Sequence, residues 1–152
     1  MLSDWLKAGN IHVTESVGHW QDAVRQAAAP LLAQQAVTPQ YVEAILRSHA
    51  ELGPYYVLAP GLAMPHARPE DGAQKNALSL LNIRQGVSFG SAENDPVYTV
   101  IMLCAVSGEE HIKMISELAE LFSDETRLQH LLTATTLPAI QAAINDASPE
   151  KT

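Results

Sequence analysis

Apolar positions along this chain recur with two periods. Val24, Ala27, Ala28, Leu31 and Leu32 share one stripe of a 3.6-residue repeat and predict a helix over 20–34. Pro30 lies inside it, so a kink or break is expected there: proline has no amide donor and its ring crowds the preceding turn. Thr38 followed by Pro39 reads as an N-cap and first turn. The helix they open carries Tyr41, Ile45 and Leu46 and stops near Gly53 and Pro54. Leu2, Trp5 and Leu6 predict a short N-terminal helix packed on the domain. Strands are expected at 11–14, 55–58, 77–84 and 98–106, the last almost wholly apolar, as for a strand buried on both faces. Between the last two, 85–96 is polar and turn-rich. Ser107 with Glu110 forms a capping-box pattern, opening a helix to about Phe122 with Ile112, Ile115, Leu118, Ala119 and Phe122 inward. Asp124 caps a further helix through Leu132, and Thr136 caps a last one from Leu137 to about Asn145. Helical and strand-like segments alternate, which points to a layered α/β or α+β architecture.

At 152 residues the chain fits one domain, because two independent cores need roughly 100 residues each. There are 9 basic and 17 acidic residues, a net charge of −8, and no basic run. That balance argues against nucleic acid or an anionic membrane as partner. The single cysteine, Cys104, excludes an internal disulfide and a cysteine-based zinc site, and suits a reducing compartment. The longest apolar run, 100–106, is far short of the roughly 20 residues that span a bilayer. The opening MLSDWLKAGN has neither a basic nor a continuous apolar region, so it does not read as a signal peptide. A cytoplasmic location is expected.

The chemistry concentrates in residues 59–69, APGLAMPHARP. Pro65 pushes Met64 into an extended conformation and fixes its own φ, so the backbone aims His66. Gly61 permits a conformation or a close approach that a Cβ would block. A rigid loop presenting one imidazole, with Arg68 two residues on, suits a nucleophilic histidine that accepts a phosphoryl group. On these residues alone, a surface histidine beside a structural proline turn is the alternative. His111, in the first turn of the helix capped by Ser107, feels the positive end of the helix dipole, which favours a neutral ring. His12, His19, His49, His130 and Asp95 show no metal-ligand spacing, so no metal site is expected, and His49 is read as part of a solvated helix face. No Gly-rich loop followed by Lys offers a nucleotide site. No cofactor is expected.

Glu51, Leu58, Ala59, Leu62, Ala63, Met64, Pro65, His66 and Ala67 together resemble the active-site signature of enzyme IIA components of the bacterial phosphoenolpyruvate:sugar phosphotransferase system, mannitol/fructose-like class. The string GPYYVLAPGLAMPHARPE is similar to the ascorbate-specific subclass. The resemblance implies a single-domain mannitol-type fold, a mixed β-sheet of about five strands flanked by helices, over residues 1–147 with a disordered tail at 148–152. It implies that His66 accepts phosphate from the phosphocarrier protein HPr. The group then passes to a cysteine of a IIB component, for uptake of a sugar through a membrane IIC component. By the same resemblance His111 stabilises the imidazole or the phosphoryl oxygens. Where mannitol-type members carry an Arg-Glu pair, this chain has Ala50 and Glu51, so Arg47 or Arg68 is expected to supply the charge. Leu62 and Met64 are candidates for the docking face, with packing beneath the loop as the other reading. A homodimer is compatible with the sequence. Two other classes stay open: a regulatory IIA-like protein whose His66 phosphorylation state controls a partner, and a binding module on the same fold without phosphotransfer.

Overall fold

The computed structural model of the chain describes residues 2–145. Its elements run α1 (Leu2–Trp5), β1 (Ile11–Thr14), α2 (Trp20–Ala33), α3 (Pro39–Leu52), β2 (Val57–Ala59), β3 (Leu62–Ala63), β4 (Ala77–Val87), β5 (Val97–Cys104), α4 (Gly108–Ser123), α5 (Glu125–Thr133) and α6 (Leu137–Asn145). The tail expected from 148 lies outside the described residues.

The strands form one mixed sheet in the order β1-β4-β5-β3-β2. β4 and β5 pair antiparallel at its centre, while β1 joins β4 and β3 joins β5 in parallel. Their alternation sorts the core into two layers, since successive strand residues point to opposite faces. Leu81, Ile83, Val100, Met102 and Cys104 pack with α2 and α3. Leu78, Leu80, Ile101 and Leu103 pack with α1, α4, α5 and α6. Burial on both faces explains the continuous apolar run of β5.

Most expected elements form, with instructive differences. α2 is not broken at Pro30 but continues to Ala33. Pro30 lies in the last turn, where only one backbone bond is lost and tertiary packing of Ala27, Ala28 and Leu31 holds the helix. Thr38 occupies the N-cap position of α3 without a side-chain cap bond; its amide donates to the Gly72 carbonyl at 3.0 Å. β2 begins two residues later than expected, and the signature stretch contains a two-residue strand, β3, too short to leave a periodicity. In α4 the buried stripe is Met114, Leu118 and Leu121. Ala119 is exposed, and Ile112 is 69% exposed, so both leave the inward face that periodicity assigned them. Asp124 and Thr136 do accept the amides of Arg127 and Ala139, at 3.1 and 3.3 Å.

Among the described residues no helix is long and apolar enough to cross a membrane.

Candidate active site

β3 delivers the histidine. Leu62 and Ala63 are fixed between β5 and β2, and the Met64 amide then donates to the Tyr56 carbonyl at 2.9 Å. Leu62 and Met64 are 1% and 5% exposed and pack in the layer of α4. They support the loop from beneath; they are not the docking face. Gly61, with φ of 84°, supplies the left-handed turn between β2 and β3. The Pro65 carbonyl accepts the Leu103 amide at 3.2 Å, so the backbone entering His66 is anchored to β5.

His66 is half-buried, and its Nδ1 lies 3.0 Å from the Met64 carbonyl oxygen. A carbonyl only accepts, so Nδ1 carries the proton and the neutral ring keeps its lone pair on Nε2. Tyr55 flanks the ring, its centroid 6.4 Å away and its plane at 73°, and its hydroxyl donates to the His66 carbonyl at 3.4 Å.

His111 faces His66 with ring centroids 5.4 Å apart and planes at 51°. Ser107 Oγ accepts the Glu110 amide at 3.3 Å, fixing the first turn of α4. Only this half of the capping box forms, because the Glu110 carboxylate instead accepts the Asn76 side-chain amide at 3.3 Å. Asn76 Oδ1 accepts the Val106 amide at 2.9 Å, which ties the β5–α4 turn to the start of β4. Burial, and then the neighbouring His66 ring, hold the His111 pKa below its ordinary 6.5. A neutral second imidazole beside the first can donate to phosphoryl oxygens without a desolvated charge of its own.

Both rings open into a cleft of about 610 Å³ lined also by Arg47, Glu51, Tyr55, Arg68 and Asp71. The structure therefore brings His66, His111, Arg47, Arg68 and Glu51 together, with Pro65 buried behind them. The two guanidiniums differ. Arg68 is held by Asp71 at 3.4 Å and Glu70 at 3.8 Å, with its side chain 75% exposed. Arg47 has no hydrogen bond or ion pair among the described residues.

Sequence reasoning missed Tyr55 and Asp71. Tyr55 was placed on a strand, whereas it precedes β2 and is 44% exposed while Tyr56 is 1% exposed. His49 also departs from the solvated face expected of it. It is 7% exposed, stacks on Trp20 at 3.6 Å, and its Nδ1 lies 2.7 Å from the Tyr56 hydroxyl. Burial lowers its pKa. Asp95 is likewise committed, accepting the Phe89 and Gly90 amides at 2.8 and 2.9 Å. Among the described residues no group of three or more His, Cys, Asp or Glu could hold a metal ion.

Residues 4–147 match the family described as phosphoenolpyruvate-dependent sugar phosphotransferase system, EIIA 2. The chain belongs to that family. The chain is 42% identical over 133 residues to the mannitol-specific cryptic phosphotransferase enzyme IIA component of Escherichia coli K12, covering 88% of this chain and 90% of the relative. It is 39% identical over 132 residues to the ascorbate-specific PTS system EIIA component of Salmonella typhimurium LT2, covering 86% of each. The solution structure of the cryptic mannitol enzyme IIA from Escherichia coli superposes with a TM-score of 0.88 at 41% identity, covering 94% of this chain and 97% of that one. The Escherichia coli complex of mannitol enzyme IIA with phosphorylated enzyme IIB gives 0.76 at 29%, covering 91% and 97%. The match extends over more than nine-tenths of this chain in both superpositions, so its mixed five-stranded sheet and flanking helices have the mannitol-type IIA fold.

Proposed function

We propose that this IIA component is a phosphoryl carrier in which His66 is the acceptor and His111 stabilises the group it carries. The orientation of His66 is the observation that supports this most directly. With the proton on Nδ1 held at the Met64 carbonyl, the Nε2 lone pair is free to attack. The donor is the phosphohistidine of HPr. As the new Nε2–P bond forms, the donor's P–N bond breaks and its electron pair returns to the donor imidazole. The Nδ1 proton stays on His66, so the phosphorylated ring carries a positive charge against the phosphoryl dianion and remains a good leaving group. A thiolate of the IIB component then attacks phosphorus and the Nε2–P bond breaks. No metal or nucleotide enters, because the donor is already an activated phosphoramidate. Positioning and charge neutralisation carry such a transfer. His111 donates to the phosphoryl oxygens, with the guanidiniums and Tyr55 closing the cleft around them.

Both protein partners approach the same opening. Leu52 beside Glu51 and Ile112 beside His111 are 72% and 69% exposed and offer the apolar rim on which they dock. Residues 1–147 act as the carrier domain in the cytoplasm. The sugar is L-ascorbate or a related compound, supported by the ascorbate-specific relatives and by the string around His66.

Intact mass after incubation with phosphoenolpyruvate, enzyme I and HPr tests the carrier role. One acid-labile phosphate that needs all three and maps to His66 is expected, followed by its loss to an ascorbate-type IIB. No gain on folded protein with active HPr would refute the role. Gain without transfer to any IIB would point to a regulatory protein instead.

A further inference from the structure

We propose that Tyr41 is the positioning residue that holds the phosphoryl-accepting imidazole in register with His111; its link to catalysis rests on the carrier function above. Tyr41 lies on α3, fully buried, and its hydroxyl sits where three segments meet. It accepts the Ala67 amide at 3.1 Å and donates to the Leu103 carbonyl at 2.6 Å. On the other side of His66, the Pro65 carbonyl accepts the Leu103 amide at 3.2 Å. Both neighbours of His66 are thus tied to one residue of β5, once directly and once through the Tyr41 oxygen.

β5 also sets the place of His111. The strand ends at Cys104, the chain turns, and Ser107 caps α4, with the His111 amide donating to the Ser107 carbonyl at 3.0 Å. The 5.4 Å spacing of the two rings is therefore transmitted through Leu103. Tyr41 supplies one of the two links between that residue and the His66 segment. Burial also raises the phenol's pKa well above its ordinary value, so the oxygen remains a donor throughout the working pH range.

Tyr41→Phe removes only the hydroxyl, leaving the Leu103 carbonyl and the Ala67 amide without it. Ser79→Ala is the matched control: Ser79 Oγ donates to the buried Ala27 carbonyl at 2.6 Å, on the α2 side of β4 and outside the cleft lining. Thermal unfolding establishes that both variants are folded, and each is then read in two ways.

Ring titration by NMR comes first, because it needs no phosphate. In Tyr41→Phe the His111 pKa moves up toward 6.5 as the rings separate, while in Ser79→Ala it stays at the wild-type value. Single-turnover transfer from phospho-HPr comes second. The rate at saturating HPr falls at least about tenfold in Tyr41→Phe, as misplacement of a reacting group by a fraction of an ångström would cause, with the HPr half-saturation unchanged. Ser79→Ala transfers at the wild-type rate. An unmoved His111 titration with a transfer rate within twofold of wild type overturns the positioning role. If wild-type protein accepts no phosphate, the carrier function fails and the titration alone still decides whether Tyr41 sets the ring spacing.

Discussion

Replacing Arg47 by Gln removes a cation from the cleft while keeping most of the side chain's length. Arg47 has no partner among the described residues, so its whole charge is available to an incoming phosphoryl dianion. In the proposed carrier role a docked partner covers the cleft during transfer, which removes bulk water from the contact. A hydrogen bond to a charged group contributes about 1.5–3 kcal/mol. Taken from the transition state, that is a rate loss of roughly 10- to 150-fold. Arg68 presents a contrasting case. Its charge is already shared with Asp71 and Glu70, and its side chain is 75% exposed. Exposed pairs of this kind contribute up to about 1 kcal/mol, so Arg68→Gln costs no more than roughly fivefold. Rapid-quench transfer from radiolabelled phospho-HPr, at saturating HPr and fixed ionic strength, measures both. An Arg47→Gln rate within twofold of wild type would refute the assignment, as would a larger loss in Arg68→Gln.

His66→Gln abolishes phosphate acceptance, whereas His111→Ala leaves acceptance measurable and slows onward transfer to IIB; label on the His66 variant, or an unaltered second step in the His111 variant, would contradict these roles. Stability should fall with acid through His49. Its folded pKa is depressed below 6.5 by burial, so the unfolded chain binds the proton first and stability rises with pH. The contribution is complete above about pH 6.5 and is lost as pH falls from there through the lower folded value. Denaturant midpoints of wild type therefore drop more steeply over that window than those of His49→Gln, and parallel profiles would exclude His49 as the source. Gly72→Ala places a Cβ at φ of 133° against Thr38 Oγ1 and 3.2 Å from the Tyr41 amide nitrogen. A cost of about 2–3 kcal/mol follows, a melting temperature lowered by roughly 5–10 °C. Melting within a degree of wild type would show that the turn relaxes freely.

Local pattern determined a great deal of this protein. The stripes of α2 and α3, the caps at Asp124 and Thr136, and the doubly buried β5 are written in residues adjacent or one turn apart. So is the stiff Met64-Pro65-His66 stretch, because proline constrains its own φ and its neighbour's backbone whatever the rest of the chain does. What a side chain faces was decided elsewhere. Ile112 falls at helical spacing with Ile115 and Ala119 yet is exposed, since the sheet covers the stripe of Met114, Leu118 and Leu121, which lies on the opposite side of α4. His49 is polar on an amphipathic helix, but Trp20 from α2 and Tyr56 before β2 enclose it. Leu62 and Met64 look like an apolar loop until β3 pairs with β5 and turns them into core. The cleft follows the same logic. His66 follows β3, His111 lies on α4 and Arg47 on α3, and the Tyr41 oxygen ties the His66 segment to β5, the strand that leads into α4. Periodicity encodes which face of an element is apolar; which neighbour arrives to cover that face, and at what distance, depends on strand order and register, and those exist only once the chain has folded.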